Sequence, residues 1–270
     1  MKQPFVLTIS NRKGGTGKTT TSVNIAAEAA LRGMRVLLID LDTQGHSNLG
    51  FGVSVAQGQA TAHDVFRQDV PLGVLSAAIV GTQFNNVWLA PADHSFDGLD
   101  ASRELDRLKR EIQQTSIADR FDLIILDTPP SLDILLMNAM SAANAVLVPV
   151  LPHILSSEGV KQLIRLFFKI ATSVNSDLKL MGFVPVMLNL RTLLHREVMD
   201  TLSKQYGKNR IFRGIRTDIA LAEAFGKGMP IQSYSDKSRG AQDYRYLWEE
   251  MVEAWPSLRQ QQVNNFRSNS

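Results

Sequence analysis

Residues 11–21 of the chain, NRKGGTGKTTT, have the types and spacing of a phosphate-binding loop, G-x-x-x-x-G-K-[ST]. Gly14, Gly15 and Gly17 lack a Cβ, so the backbone there can curl closely around phosphate oxygens. Amide N–H groups from about Gly15, through Thr16, to Thr20 are expected to point inward. The following helix adds the partial positive charge of its first turn. Lys18 is expected to reach the β- and γ-phosphates of a nucleotide, and Thr19 to offer its hydroxyl to Mg2+. One place departs from the pattern: Arg12 stands where the first glycine belongs, with a second lysine, Lys13, beside it. Three carboxylates join this chemistry. Asp127 ends the apolar run DLIILD, a position suited to holding Mg2+ through water. Asp40 and Asp42 lie in LLIDLDTQGHSN, at and just after the end of another such run. Taken singly, each aspartate could equally be a turn or cap residue.

These groups can act together only if strand ends converge. Apolar runs predict buried strands at 6–10, 35–40, 122–127, 145–150 and 180–186. Helical periodicity predicts helices at 17–32, 101–115, about 132–143, 156–173, 192–206 and 242–255, the last ended by Pro256. Residues 51–61 read as a loop. Near-continuous Val/Ile/Leu strands alternating with helices predict one α/β domain with a mostly parallel sheet covered on both faces. In such sheets the carboxyl ends of the strands meet in one crevice. The domain is expected over 1–256, with 257–270 a polar, flexible tail.

The chain has 270 residues, no cysteine and a net charge of +3. Without cysteine there is no disulfide, thiolate metal site or cysteine nucleophile, which suits a cytoplasmic chain. The start, MKQPFVLTIS, is too short for a signal peptide, and no apolar run approaches the ~20 residues of a membrane helix. Residues 1–150 carry 12 Lys/Arg and 15 Asp/Glu, and residues 151–270 carry 17 and 11. The basic second part reads either as ordinary scatter or as a face that meets a polyanion.

KGGTGKT resembles the deviant Walker A motif of the ParA/MinD superfamily. IDLDTQGHSN is similar to its switch I segment, and LDTPPSLDILLMNAMSAANAVLVPV to its Walker B and switch II region. The likeness runs on through RGIRTDIALAEAFGKGMPIQSYSDKSRGAQDYRYL. It is closer to chromosomal, Soj-like ParA proteins than to MinD, and no helix-turn-helix extension precedes Lys13.

The resemblance implies a Mg2+-dependent ATPase, slow alone and stimulated by a partner. In this family the extra lysine, here Lys13, crosses to the nucleotide of a second subunit, so that two ATP molecules lie within a homodimer. Asp42 matches the residue that orients the attacking water, and Asp40 and Asp127 match the acids near Mg2+. Asn189 matches a base contact, with a turn residue as the alternative. Ile215, Arg216, Thr217 and Asp218 match the loop that packs the adenine.

The family binds double-stranded DNA non-specifically, implying a nucleoid-associated protein that positions a chromosome origin, a plasmid or a protein assembly such as a carboxysome or chemoreceptor cluster. A ParB-like or cargo-bound adaptor would stimulate hydrolysis. Arg191 matches a DNA-contacting arginine, whereas a second family arginine falls on Ala220. Arg213, Arg216, Lys227, Lys237 and Arg239 are the further candidates, with an ordinary solvated surface as the alternative. The rival is a MinD-like membrane switch. The tail offers it only Leu258, Val263 and Phe266, a poor membrane face, so stable membrane association is not expected. The absence of cysteine removes nitrogenase-iron-protein-like members, and DLDTQG and DTPPS argue against dethiobiotin-synthetase-like ones.

Overall fold

The computed structural model describes residues 3–99, 101–131, 133–153 and 156–268. Residue 132 of one expected helix, residues 1–2 of the expected domain and residues 269–270 of the expected tail lie outside the described residues. Seven strands form one sheet: β1 (Phe5–Ile9), β2 (Val36–Asp40), β3 (Val80–Gly81), β4 (Val87–Ala90), β5 (Leu123–Asp127), β6 (Ala145–Val150) and β7 (Lys179–Pro185). Their order is β3-β4-β2-β5-β1-β6-β7, and every pair is parallel except β3 with β4. The helices are α1 (Lys18–Leu31), α2 (His46–Gly50), α3 (Val74–Ala78), α4 (Arg107–Ile112), α5 (Thr115–Ala118), α6 (Ile134–Ala142), α7 (Ser156–Ser173), α8 (Leu193–Tyr206), α9 (Ile219–Gly226), α10 (Ile231–Tyr234), α11 (Arg239–Ala254) and α12 (Pro256–Ser268).

Strand alternation divides the core in two. Phe5, Leu7 and Ile9 of β1 face a cluster with Val23 and Ile25 of α1 and Tyr244, Leu247 and Trp248 of α11. Val6 faces the other cluster, with Leu108 of α4, Leu135 and Leu136 of α6 and Leu163 and Phe167 of α7. The sheet is thus apolar on both faces, which is why its strands read as continuous hydrophobic runs. Register then sets the site. Asp40 pairs with Asp127, and Asp127 pairs with Ile9, so the ends of β2, β5 and β1 are flush.

Three expectations change. The β3–β4 edge was not anticipated, because Val87–Ala90 is too short between Asn86 and Pro91 for a pattern to emerge. The single helix over 101–115 is instead α4 and α5, broken at Gln113 and Gln114. Its expected first turn is held extended by a bridge between Arg67 and Ala101 and by Ser102 N–H donating to Phe66 O at 2.7 Å. The segment expected as a loop at 215–218 is one, and it leads directly into α9. Pro256 does end α11 but also starts α12, since proline suits the first turn of a helix. Leu258 is fully buried, and Gln261 Nε2–H donates to Gln3 O at 2.6 Å. The beginning of the tail is therefore packed against the domain rather than free.

Candidate nucleotide-binding site

β1 delivers the phosphate loop. Asn11, buried at the strand end, donates from Nδ2 to Pro149 O in β6 at 2.6 Å and accepts the Lys13 N–H at 3.0 Å. Thr16 Oγ1 donates to Lys13 O at 3.1 Å. These contacts brace the loop around Gly14 and Gly15, where no atom lies within 4 Å of either Cβ position. Gly15 and Gly17 are left-handed at φ +71°, and Gly17 caps α1. The result is an open backbone concavity at a helix N-terminus, with Lys18 buried beneath it. Lys13 is half-buried at the edge, and among the described residues no ion pair engages its ammonium.

The acids lie at the strand ends, as the register requires. Ser22 Oγ stands 3.1 Å from Asp127 Oδ1 and 3.0 Å from Lys18 O. Ser47 Oγ stands 3.3 Å from Asp127 Oδ2. Burial pushes the Asp127 carboxyl up to about 6, against the opposing pull of the Thr19 hydroxyl and the Lys18 ammonium. Burial also pushes Asp40 well above the usual carboxylate range, and the charge of Asp127 adds to it. A divalent cation here would relieve both effects, so the donor set of Thr19, Asp127 and Asp40 fits one. Asp40 has a second role: its oxygens accept the N–H groups of Asp42 and Ser47, each at 3.0 Å, and so shape the 41–47 segment. Asp42 accepts the Gln44 N–H at 3.1 Å.

Two adjoining cavities form the groove. One, of about 510 Å³, is lined by the 14–20 loop, Asp42, Gln44 and His46. The other, of about 540 Å³, is lined by Val186, Ile215, Arg216, Thr217, Asp218 and Tyr244, among others. They share Gly17, Thr20, Met187 and Phe225. A compartment lined by the loop backbone, Lys18 and Asp42 thus opens into a more apolar one, the division that phosphates and a base require.

The 215–218 segment is fixed at several points. Leu188 N–H donates to Ile215 O at 2.9 Å, and Arg216 forms a two-pronged ion pair with buried Asp243. Asn189 is not in the groove lining. Its Oδ1 accepts the Arg191 N–H at 3.1 Å and its N–H donates to His195 Nδ1, the arrangement of a turn residue. Met187, at φ +51°, lines both cavities. Ser22, Ser47, Met187 and Phe225 were missed. Only Ser22 carried a signal, lying one helical turn after Lys18.

The expected DNA residues do not behave alike. Arg191, Lys227, Lys237 and Arg239 are exposed. Arg216 is tied to Asp243, and the Arg213 guanidinium lies 4.5 Å from the Tyr246 ring centroid. Ala220 is half-buried against the α1–α11 core.

A family model described as an AAA domain matches residues 5–180. The sporulation initiation inhibitor protein Soj of Bacillus subtilis is 35% identical over 254 residues, spanning 92% of this chain and 98% of its own. The chromosome partitioning protein ParA of Caulobacter vibrioides is 34% identical over 252 residues, spanning 92% and 93%. Among solved structures, cobyrinic acid a,c-diamide synthase from Mycobacterium smegmatis with bound ADP and magnesium superposes with a TM-score of 0.78 at 31% identity, covering 94% of this chain and 96% of that one.

Proposed function

Because the chain belongs to the ParA/MinD superfamily of P-loop ATPases, we propose that it hydrolyses Mg2+·ATP within a homodimer that binds DNA without sequence preference and positions a cargo. The observation that carries the reading is the flush alignment of the phosphate loop with Asp40 and Asp127, with Asp42 two residues beyond. In this reading the loop amides and Lys18 hold the phosphates. Thr19, with Asp127 and Asp40 nearby, holds Mg2+, which neutralises charge on the phosphates when bound. Asp42 orients the attacking water. Lys13, at the groove edge and without an ion-pair partner among the described residues, is free to reach a second subunit's nucleotide. A lysine delivered in trans attracts the γ-phosphate, so hydrolysis loosens the pair.

Exposed Arg191, Lys227, Lys237 and Arg239 are the candidates for phosphate contacts, supported by the basic excess of the second part of the chain. Arg216 and Arg213 are the weaker candidates, given their partners Asp243 and Tyr246. An adaptor would stimulate turnover and select the cargo, and a nucleoid location in the cytoplasm follows. The MinD-like alternative is disfavoured because Leu258, one of the tail's few large apolar residues, is spent in the core. No described helix is long and apolar enough to cross a membrane.

Gel shifts on two unrelated duplexes, with liposome pelleting alongside, test the proposal. Binding should require ATP, be similar for both duplexes and weaken with salt by roughly 0.9 in log K per log salt for each phosphate contact. Arg191→Ala should make that slope shallower. A wild-type ATP form that ignores DNA and pellets with anionic liposomes would replace this reading with the membrane one.

A further inference from the structure

We propose that His63 and His94 are positioning residues for ATP hydrolysis, holding the backbone on both sides of Asp42 through its two neighbouring carbonyls. The inference rests on the catalytic reading of Asp42 above. His63, fully buried, donates from Nε2 to Leu41 O at 3.3 Å and accepts the Asp93 N–H at Nδ1 at 2.9 Å. Its tautomer is fixed by that second contact, since an amide can only donate. Burial lowers its pKa to about 4, so the ring is neutral near pH 7. His94 Nδ1 lies 3.0 Å from Thr43 O, and a carbonyl can only accept, so Nδ1 carries the proton. The chain is also shaped to admit this ring. A Cβ at Gly45, which stands at φ +61°, would lie 2.4 Å from His94 Cε1.

Both histidines belong to one braced platform. A 3-10 turn, Ala62–Phe66, carries His63 and is closed by Thr61 and Asp64 as a capping box. Arg67 joins Asp64 to Asp93, each at 2.9 Å, and Ala62 N–H donates to Pro91 O at 2.7 Å. The 62–67 and 91–94 segments therefore cannot shift independently. Within its own loop Asp42 is held by Asp40, by the Gln44 N–H and by the Gly45 N–H, which donates to Asp42 O at 2.8 Å, and none of these contacts reaches beyond the loop to the sheet edge. A carboxylate that orients water works only in place, and a displacement of ~1 Å can lower a rate by ~100-fold. The two imidazoles tie the 41–43 segment to the braced edge of the sheet.

The test uses the full chain with His63→Ala, His63→Gln and His94→Ala. It measures single-turnover ATP hydrolysis, affinity for a non-hydrolysable ATP analogue and melting temperature. Each alanine variant should slow hydrolysis by about tenfold or more, with analogue affinity within about twofold of wild type. His63→Gln, whose amide offers one donor and one acceptor, should recover much of the rate. In an Asp42→Ala background neither histidine change should slow turnover further. Should His63→Ala fail to fold, exposed His94 decides the matter. A folded His94→Ala with the wild-type rate, alongside an inactive Asp42→Ala, overturns the clamp and leaves the Asp42 reading standing. Affinity that falls in step with rate also overturns it. Wild-type hydrolysis by Asp42→Ala overturns both.

Discussion

Lys13 and Lys18 differ by environment, and so should their variants. Lys18 is buried under the loop, whereas Lys13 is half-buried at its edge. Lys13→Ala should bind nucleotide nearly as wild type, because the loop amides and Lys18 remain, but should fail to form the ATP dimer. Size-exclusion chromatography with ATP and Mg2+ decides it, and a normal dimer from this variant would refute the trans role. His63 yields a second prediction, in stability. Its pKa is about 4 folded and 6.5 free, so the unfolded chain binds more protons between those values. Stability from this group is therefore intact above pH 6.5 and lost as pH falls toward 4, by about 3 kcal/mol. Urea titrations at pH 7 and pH 4 should show that loss in wild type and a smaller one in His63→Gln. At this scale the sequence was legible where chemistry and spacing coincide: the loop glycines, Lys18, Thr19 and the three acids. It was silent on His63 and His94, which reach Asp42's neighbours across 22 and 51 residues of chain. Asn189 shows the opposite ambiguity, since a residue type that suits a base contact equally suits the turn contacts it makes.

Among the elements, α9 depends on one carboxylate. Asp218 Oδ1 accepts the Ala220 N–H at 3.2 Å as the cap of α9, and Oδ2 accepts the Gly240 N–H at 2.8 Å at the start of α11. Both helices border the more apolar cavity of the groove, which the proposed function assigns to the base. Asp218→Ala should lose about 1–2 kcal/mol of stability. It should raise KM for ATP several-fold while leaving kcat nearly unchanged, because the phosphate end is untouched. Equal losses in kcat and kcat/KM would contradict this. Strands β1, β2, β5, β6 and β7 were legible because burial on both faces leaves their residues uniformly apolar. Strand β4 was not, being four residues long and bounded by Asn86 and Pro91. The 101–115 segment misled because its helical periodicity continues through residues that Phe66 and Arg67 hold extended.

For the molecule as a whole, α12 closes the α1–α11 face. Ending the chain after Trp255 exposes the site of Leu258 and frees Gln3 and Trp248 from Gln261 and Gln262. The loss should be at least about 2 kcal/mol from Leu258 alone, read as a lower urea midpoint. An unchanged midpoint would return residues 257–268 to the role of a loose tail. The same whole-molecule view gives α2 its meaning. Ser47, in its first turn, touches Asp40 and Asp127, while Gly50, its last residue, is so close to α1 and α9 that a Cβ would meet Val23 Cγ2 of α1 at 2.8 Å and Phe225 Cε2 of α9 at 2.9 Å. A helix this short has no slack between those ends. In the proposed nucleotide complex it would act as an escapement, letting the base go only after the terminal phosphate has stopped bracing the acids. Order in time would thereby be written into packing, and on that reading ADP should leave faster than ATP for want of a brace rather than for want of contacts. Gly50→Ala, by wedging α2 from both α1 and α9, should bring the two dissociation rates together in a stopped-flow chase.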